Sequence, residues 1–258
     1  MSYSRASFAS ARERGWLRFL AAGLAMAVVA LASAVGGMRT AQAATLEGID
    51  VSHYQGSINW TAVRNSGKAF AYIKATEGTY YIDPSFNSYY PDSYYAGLVR
   101  GAYHFGIPNN SPGTVQADYF ASHGGAWSAD NQTLPGALDI EWNPYGGGTC
   151  YGLSQAGMRG WIGDFLNRYH ARTGRWAVIY TPPMWWNQCT GNWTAPASND
   201  PLWVVNVNGS PYPLPAGWGL YTFWQYGQGG VSGISGAVDL NQFNGDASRL
   251  RALANNTP

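Results

Sequence analysis

Charged residues make up only 11% of this 258-residue chain, and cysteine and histidine are scarcer, with 2 and 4 copies. His53, His104, His123 and His170 are scattered and show no paired-ligand spacing, so no metal is expected, and no cofactor either. Beyond residue 43 no stretch is apolar enough to span a bilayer, which leaves no membrane partner for that part of the chain. The same part lacks internal repeats, linkers and low-complexity runs, so residues 44–258 are expected to form a single domain. Its length suits one barrel with a substantial core.

The amino terminus is different. Arg5, Arg12, Arg14 and Arg18 form a basic leader, and Phe19 to Val35 is apolar and rich in Ala, Leu and Val. Ala41-Gln42-Ala43 supplies small residues for cleavage, so residues 1–43 are expected to be a signal peptide and the protein secreted. A membrane anchor is the alternative, weakened by the short, Gly-interrupted stretch and the cleavage site after it. The whole chain has a formal net charge of +1, with 15 basic and 14 acidic residues. Without the leader, 10 basic residues remain against 13 acidic ones, a net charge of −3. A slightly acidic surface argues against nucleic acid as a partner. In an exported protein, Cys150 and Cys189 read as a disulfide closing a loop of about 40 residues, worth about 4 kcal/mol in the chain-entropy limit. Two unpaired buried thiols are the other reading.

The candidate chemistry lies in Leu134-Pro135-Gly136-Ala137-Leu138-Asp139-Ile140-Glu141-Trp142. A Pro-Gly turn leads into a short apolar run that ends in two carboxylates. On a strand, Asp139 and Glu141 share one face while Ile140 and Trp142 take the other. Two acids on one face shift each other's proton affinity, and one can stay protonated near neutral pH. Glycosidic cleavage needs such an acid to protonate the leaving oxygen. A strand end that turns polar where it meets solvent would look the same.

The surrounding pattern supports a barrel. Strands are predicted at Leu46–Ser52, Phe70–Thr76, Val99–Phe105, the Asp139/Glu141 segment and Trp176–Tyr180. Helices are predicted at Trp60–Asn65, Ser85–Ala96, Thr114–Ser122 and Gln155–Thr173, the last ended by Gly174. Then Leu202–Val207, Leu220–Tyr226 and Val238–Gln242 read as strands with little helix between them. The expectation is an α/β fold, a TIM-like barrel of about five β/α units followed by three strands. In such a barrel the strand ends surround one site. Asp50, Asp139, Glu141 and Asp239 would converge there, and Tyr103, Tyr180, Trp203 and Trp224 fall on or beside predicted strand ends as rings for packing against sugars. Any one of these aromatics is as easily a core residue. His104 reads as a satisfied structural histidine, and Lys74 with Glu77 as a structural ion pair.

Six segments occur in one order and spacing: Gly48–Ser52, Tyr72–Gly78, Gly101–Phe105, Leu138–Glu141, Trp224–Tyr226 and Val238–Asn241. In these the chain resembles the glycoside hydrolase family 25 lysozymes, the Chalaropsis-type N-acetylmuramidases. The resemblance runs from about Leu46 to Phe243. It implies a barrel of five β/α units plus three strands, and cleavage of the β-1,4 bond between N-acetylmuramic acid and N-acetylglucosamine in peptidoglycan. It further implies Glu141 as general acid, Asp139 as its partner carboxylate, and Asp50 and Asp239 as the other active-site acids. Peptidoglycan glycan strands are then the expected partner, and a monomer the expected form. A chitinase-like N-acetylglucosaminidase, which also uses D-x-E on a strand, is the neighbouring alternative; a carbohydrate-binding protein on an inactive barrel is a third.

Overall fold

A computed structural model of the chain describes residues 45–257, so the expected signal peptide, 1–43, lies outside the described residues. The described residues begin with β1 (Leu46–Val51), α1 (Trp60–Asn65), β2 (Phe70–Glu77), β3 (Tyr81–Ile82) and α2 (Phe86–Tyr95). Next come β4 (Val99–Phe105), α3 (Gly113–Ser122), β5 (Ala137–Asp139) and α4 (Gln155–Thr173). They end with β6 (Val178–Thr181), α5 (Pro183–Thr190), β7 (Leu202–Val205), β8 (Phe223–Gly230), β9 (Ala237–Phe243) and α6 (Ala247–Asn255). Strand pairing runs β1-β2-β4-β5-β6-β7-β8 in parallel, and β9 closes the ring antiparallel to both β8 and β1. β3 stands outside the ring as a short hairpin on β2. The result is a closed barrel of five β/α units followed by three strands, as expected.

Alternation along the strands builds two apolar layers. Inside the barrel, Phe70, Tyr72, Val178, Trp203, Phe223 and Phe243 fill the lower part, with Leu250 and Ala254 of α6 packed against them. Outside it, Ile49, Ile73, Leu138, Ile140 and Ile179 belong to a layer completed by helix residues such as Met158, Trp161, Ile162 and Phe165 of α4. The Ser154 hydroxyl caps α4 by accepting from Gly157 N at 3.1 Å, and Gly174 ends it with φ 70°. α3 lies so close to α4 that a Cβ on Gly113 would stand 2.2 Å from the Trp161 carbonyl oxygen.

Three elements differ from expectation. Pro182-Pro183 reads in sequence as the end of a strand, yet Pro183 opens α5, the helix of the fifth β/α unit. Proline is well placed there, because the first turn of a helix has no use for its missing N–H. α6 follows the last strand, where the β/α alternation predicts no helix; Asp246 caps it by accepting from Arg249 N at 2.9 Å. β5 is only three residues long, so Glu141 lies just past its end, in a segment kept extended by Ile140 N donating to Tyr180 O at 3.0 Å.

His104 is fully buried between Thr76 Oγ1 (2.8 Å) and Gln116 Oε1 (3.0 Å), and burial pushes its pKa down to about 4. It is a satisfied structural histidine. Cys150 and Cys189 form a disulfide, with 5.4 Å between their Cα atoms. The bridge ties the segment after Glu141 to α5. Replacing both cysteines by serine is expected to lower the melting temperature by about 10 °C, from about 4 kcal/mol of lost chain constraint. Calorimetry of the two forms checks this, and equal melting temperatures would show that the tether adds nothing to stability.

Candidate active site

The ends of β1, β5 and β9 carry three of the four expected acids, and the segment leaving β5 carries the fourth. Asp50 and Asp239 are register partners across the antiparallel β1/β9 pair, so their side chains leave on the same face. Asp139 is the last residue of β5, flanked in register by Phe105 of β4 and Tyr180 of β6. Asp50, Asp139, Glu141 and Asp239 together line one cavity of about 370 Å³, with Tyr103, Tyr180 and Trp203 on its walls. The structure therefore brings together seven of the eight expected site residues.

Trp224 is the exception. Phe223 packs into the barrel and Gln225 reaches Asp50, so the intervening Trp224 projects outward. There its indole N–H donates to Asn206 O at 2.7 Å, and its ring stands 6.3 Å from Tyr221 and 5.7 Å from Tyr226. It does not line the cavity.

A chain of hydrogen bonds fixes the cavity floor. Asp50 Oδ2 accepts from Gln225 Nε2 at 3.0 Å and from Asn241 Nδ2 at 2.8 Å. The amide oxygens of these two residues accept in turn from the Tyr180 hydroxyl (3.0 Å) and the Trp203 indole (2.8 Å). Gln228 Nε2 donates to Asp239 Oδ1 at 2.8 Å. Asp139 Oδ1, by contrast, is buried and has no protein partner. Sequence reasoning missed Gln225 and Asn241, although both lie in motifs it singled out. Asn241 is two residues beyond Asp239, so strand alternation alone would have sent both to one face.

Burial dominates the electrostatics. It pushes Glu141 up to about 7, helped by the nearby Asp239 and opposed by Lys74. Asp50 is likewise pushed up to about 7 by burial and by Asp239, against the hydrogen bonds from Asn241 and Gln225. Asp139 is held well above the usual carboxylate range by burial and then by Glu141, again against Lys74. Asp239 is raised by burial, against its bond from Gln228. Such a cluster retains protons near neutral pH and can supply one to an oxygen brought beside Glu141.

Lys74 was expected only as half of an ion pair with Glu77. The pair exists, with Nζ 2.6 Å from Glu77 Oε2, but Lys74 also lines the acidic cavity. A second hollow of about 590 Å³ adjoins it, sharing Tyr54, Lys74, Phe105 and Glu141 and adding Tyr80, Trp142 and Tyr145. Glu141 thus stands between a carboxylate-lined hollow and an aromatic-lined one. A third hollow, about 710 Å³, is lined by residues including Tyr221, Phe243, Arg249 and Leu253 and has no acidic residue in its wall. No metal-binding cluster of His, Cys, Asp and Glu occurs among the described residues, and no helix among them is long and apolar enough to cross a membrane.

Comparison with known proteins bears on this geometry. The sequence profile of the glycosyl hydrolases family 25 matches residues 49–234. Lysozyme M1 of Streptomyces globisporus is 59% identical over 213 residues, which span 82% of this chain and 72% of that protein. The N,O-diacetylmuramidase of Chalaropsis sp is 45% identical over 207 residues, 76% of this chain and 96% of that one. Among solved structures, a bacterial lysozyme from Streptomyces coelicolor superposes with a TM-score of 0.80 at 57% identity, covering 84% of this chain and 100% of its own.

Since Asp239 contributes to the raised pKa of Glu141, Asp239→Asn is expected to lower the Glu141 titration midpoint below about 7. Carbon-13 NMR of the labelled carboxyl reads this directly. An unchanged midpoint would leave burial as the whole cause.

Proposed function

The chain belongs to the glycosyl hydrolases family 25, and on that premise we propose that Glu141 is the general acid of a secreted, monomeric muramidase. The enzyme is a lysozyme-type glycosidase that acts on peptidoglycan, hydrolysing the β-1,4 bond between N-acetylmuramic acid and N-acetylglucosamine. The observation that carries the assignment of the acid is the placing of Asp139 and Glu141 two residues apart at the barrel mouth, with Glu141 pushed up to about 7 by burial.

In the proposed reaction the muramic acid ring occupies the carboxylate-lined cavity and the leaving glucosamine lies in the aromatic hollow beyond Glu141. Glu141 donates its proton to the glycosidic oxygen as the bond to the anomeric carbon breaks. The carbonyl oxygen of the 2-acetamido group attacks that carbon from the opposite face, and Asp139 accepts a hydrogen bond from the acetamido N–H and balances its growing positive charge. Glu141 then takes a proton from water, whose oxygen opens the cyclic intermediate, so the anomeric configuration is retained. Asp50 and Asp239, the other two carboxyls of the cavity, face the reacting ring, while Tyr103, Tyr180 and Trp203 shape its walls.

Export with cleavage before Ala44, leaving one catalytic domain, is supported by the leader sequence and the disulfide.

The test is muropeptide analysis of purified peptidoglycan digested by the mature protein beside Glu141→Gln. Wild type is expected to produce new muramic acid reducing ends, with the retained anomer first in NMR spectra. The variant should lose at least a hundredfold in rate. Glucosamine reducing ends would make the enzyme a glucosaminidase, and no release by wild type would overturn the hydrolase reading.

A further inference from the structure

The mechanism asks two neighbouring carboxyls to behave differently. Glu141 must hold a proton while Asp139 gives its proton up, yet burial raises both. The cavity that holds them is lined by four acidic residues and by one basic residue, Lys74. We propose that Lys74 is a positioning residue of this site, its ammonium fixed at the junction of the two hollows as the counter-charge that favours ionisation of the Asp139–Glu141 pair. The inference rests on the muramidase reading and assigns a role that the ion pair alone does not.

The ammonium has little freedom. The Lys74 side chain is 12% exposed and its Nζ donates to Glu77 Oε2 at 2.6 Å. The ring centroids of Phe105 and Tyr81 lie 5.2 and 5.5 Å from Nζ, where an aromatic face attracts a cation. Glu77 is itself fixed: the hydroxyls of Tyr80 (3.1 Å) and Tyr145 donate to its Oε1. Burial alone would raise Glu77, but the bonds from Lys74 and Tyr145 hold it below the ordinary carboxylate value, so it stays an anion. A lysine serving only as a surface ion-pair partner needs none of this anchoring.

The groups around Lys74 come from every neighbouring element. On its own strand there is Glu77, and on β3 Tyr81. Tyr103 is its register partner on β4. Across the cavity stand Asp139, Glu141, Asp50 and Asp239, with Tyr180 from β6. The positive charge opposes proton retention on Asp139 and on Glu141, whereas Glu77 works against it at Asp139. Opposite substitutions should therefore displace the pH profile in opposite directions.

The experiment is the pH dependence of kcat/KM on purified peptidoglycan for wild type, Lys74→Met, Lys74→Arg and Glu77→Gln, each first checked for a cooperative melt. Lys74→Met is expected to move both limbs to higher pH, by about one unit, which is about a tenfold loss at a fixed pH on the acid limb. Lys74→Arg keeps the charge and should return both limbs towards wild type. Glu77→Gln preserves an acceptor for the two tyrosines but removes the anion that raises Asp139, so the acid limb should move to lower pH. Limbs that stay in place in Lys74→Met while the plateau falls would mean a merely structural role and overturn the proposal, as would full activity. Should Lys74→Met fail to fold, Lys74→Gln takes its place: limbs displaced to higher pH support the proposal and unmoved limbs overturn it. Wild type without muramic acid release would instead bring down the underlying functional reading, so the two failures are distinguishable.

Discussion

The pairing of β9 with both β8 and β1 is the constraint on which the site depends. It closes the barrel, and its antiparallel register sets Asp239 against Asp50. A slip of one residue would send Asp239 and Asn241 to the outer face and bring their apolar neighbours Val238 and Leu240 inward. Asp50 would then lose the Asn241 amide, and Trp203 its partner on the cavity floor. The register is held because Val238 belongs to the outer apolar layer and Phe243 to the inner one. Closure and chemistry thus rest on the same strand.

The carboxylates gathered by this closure burden the fold, because desolvating an acid costs free energy unless it protonates or finds a partner. The chain answers each case differently. Asp50 receives two amide donors, Asp239 one, and Glu77 a cation with two hydroxyls. Asp139 Oδ1 receives nothing from the protein. The least supported oxygen belongs to the residue whose proposed partner, the acetamido N–H, arrives with the substrate. The aromatic packing beneath the cavity, where Tyr72 and Trp203 lie 4.7 Å apart, keeps this floor rigid.

Much of this was legible in the chain itself. The alternation of short apolar runs with amphipathic helices gives the barrel, and α4 runs from Gln155 to Thr173 in sequence and in structure. The acids could be found because each stands in or beside a short apolar strand. What stayed hidden has local causes. Pro183 looks like a terminator although it begins a helix, and α6 lies beyond the last strand, outside the β/α alternation that located the other helices. Trp224 fell to the same alternation that located Asp139 and Glu141, since its in-or-out sense depends on which neighbour enters the barrel. Lys74 shows in sequence only as an ion-pair partner because Glu77 is three residues away, whereas its place in the cavity depends on strands that are distant in sequence.

The central claim is that Glu141 keeps its proton near neutral pH because of where the fold puts it. Difference infrared spectroscopy of wild type against Glu141→Gln tests this without substrate. At about pH 6, below the value of about 7 to which burial pushes Glu141, wild type should show a protonated-carboxyl stretch that the variant lacks and that titrates away as pH rises. Spectra at that pH in which the substitution removes only an ionised carboxylate band would contradict the account.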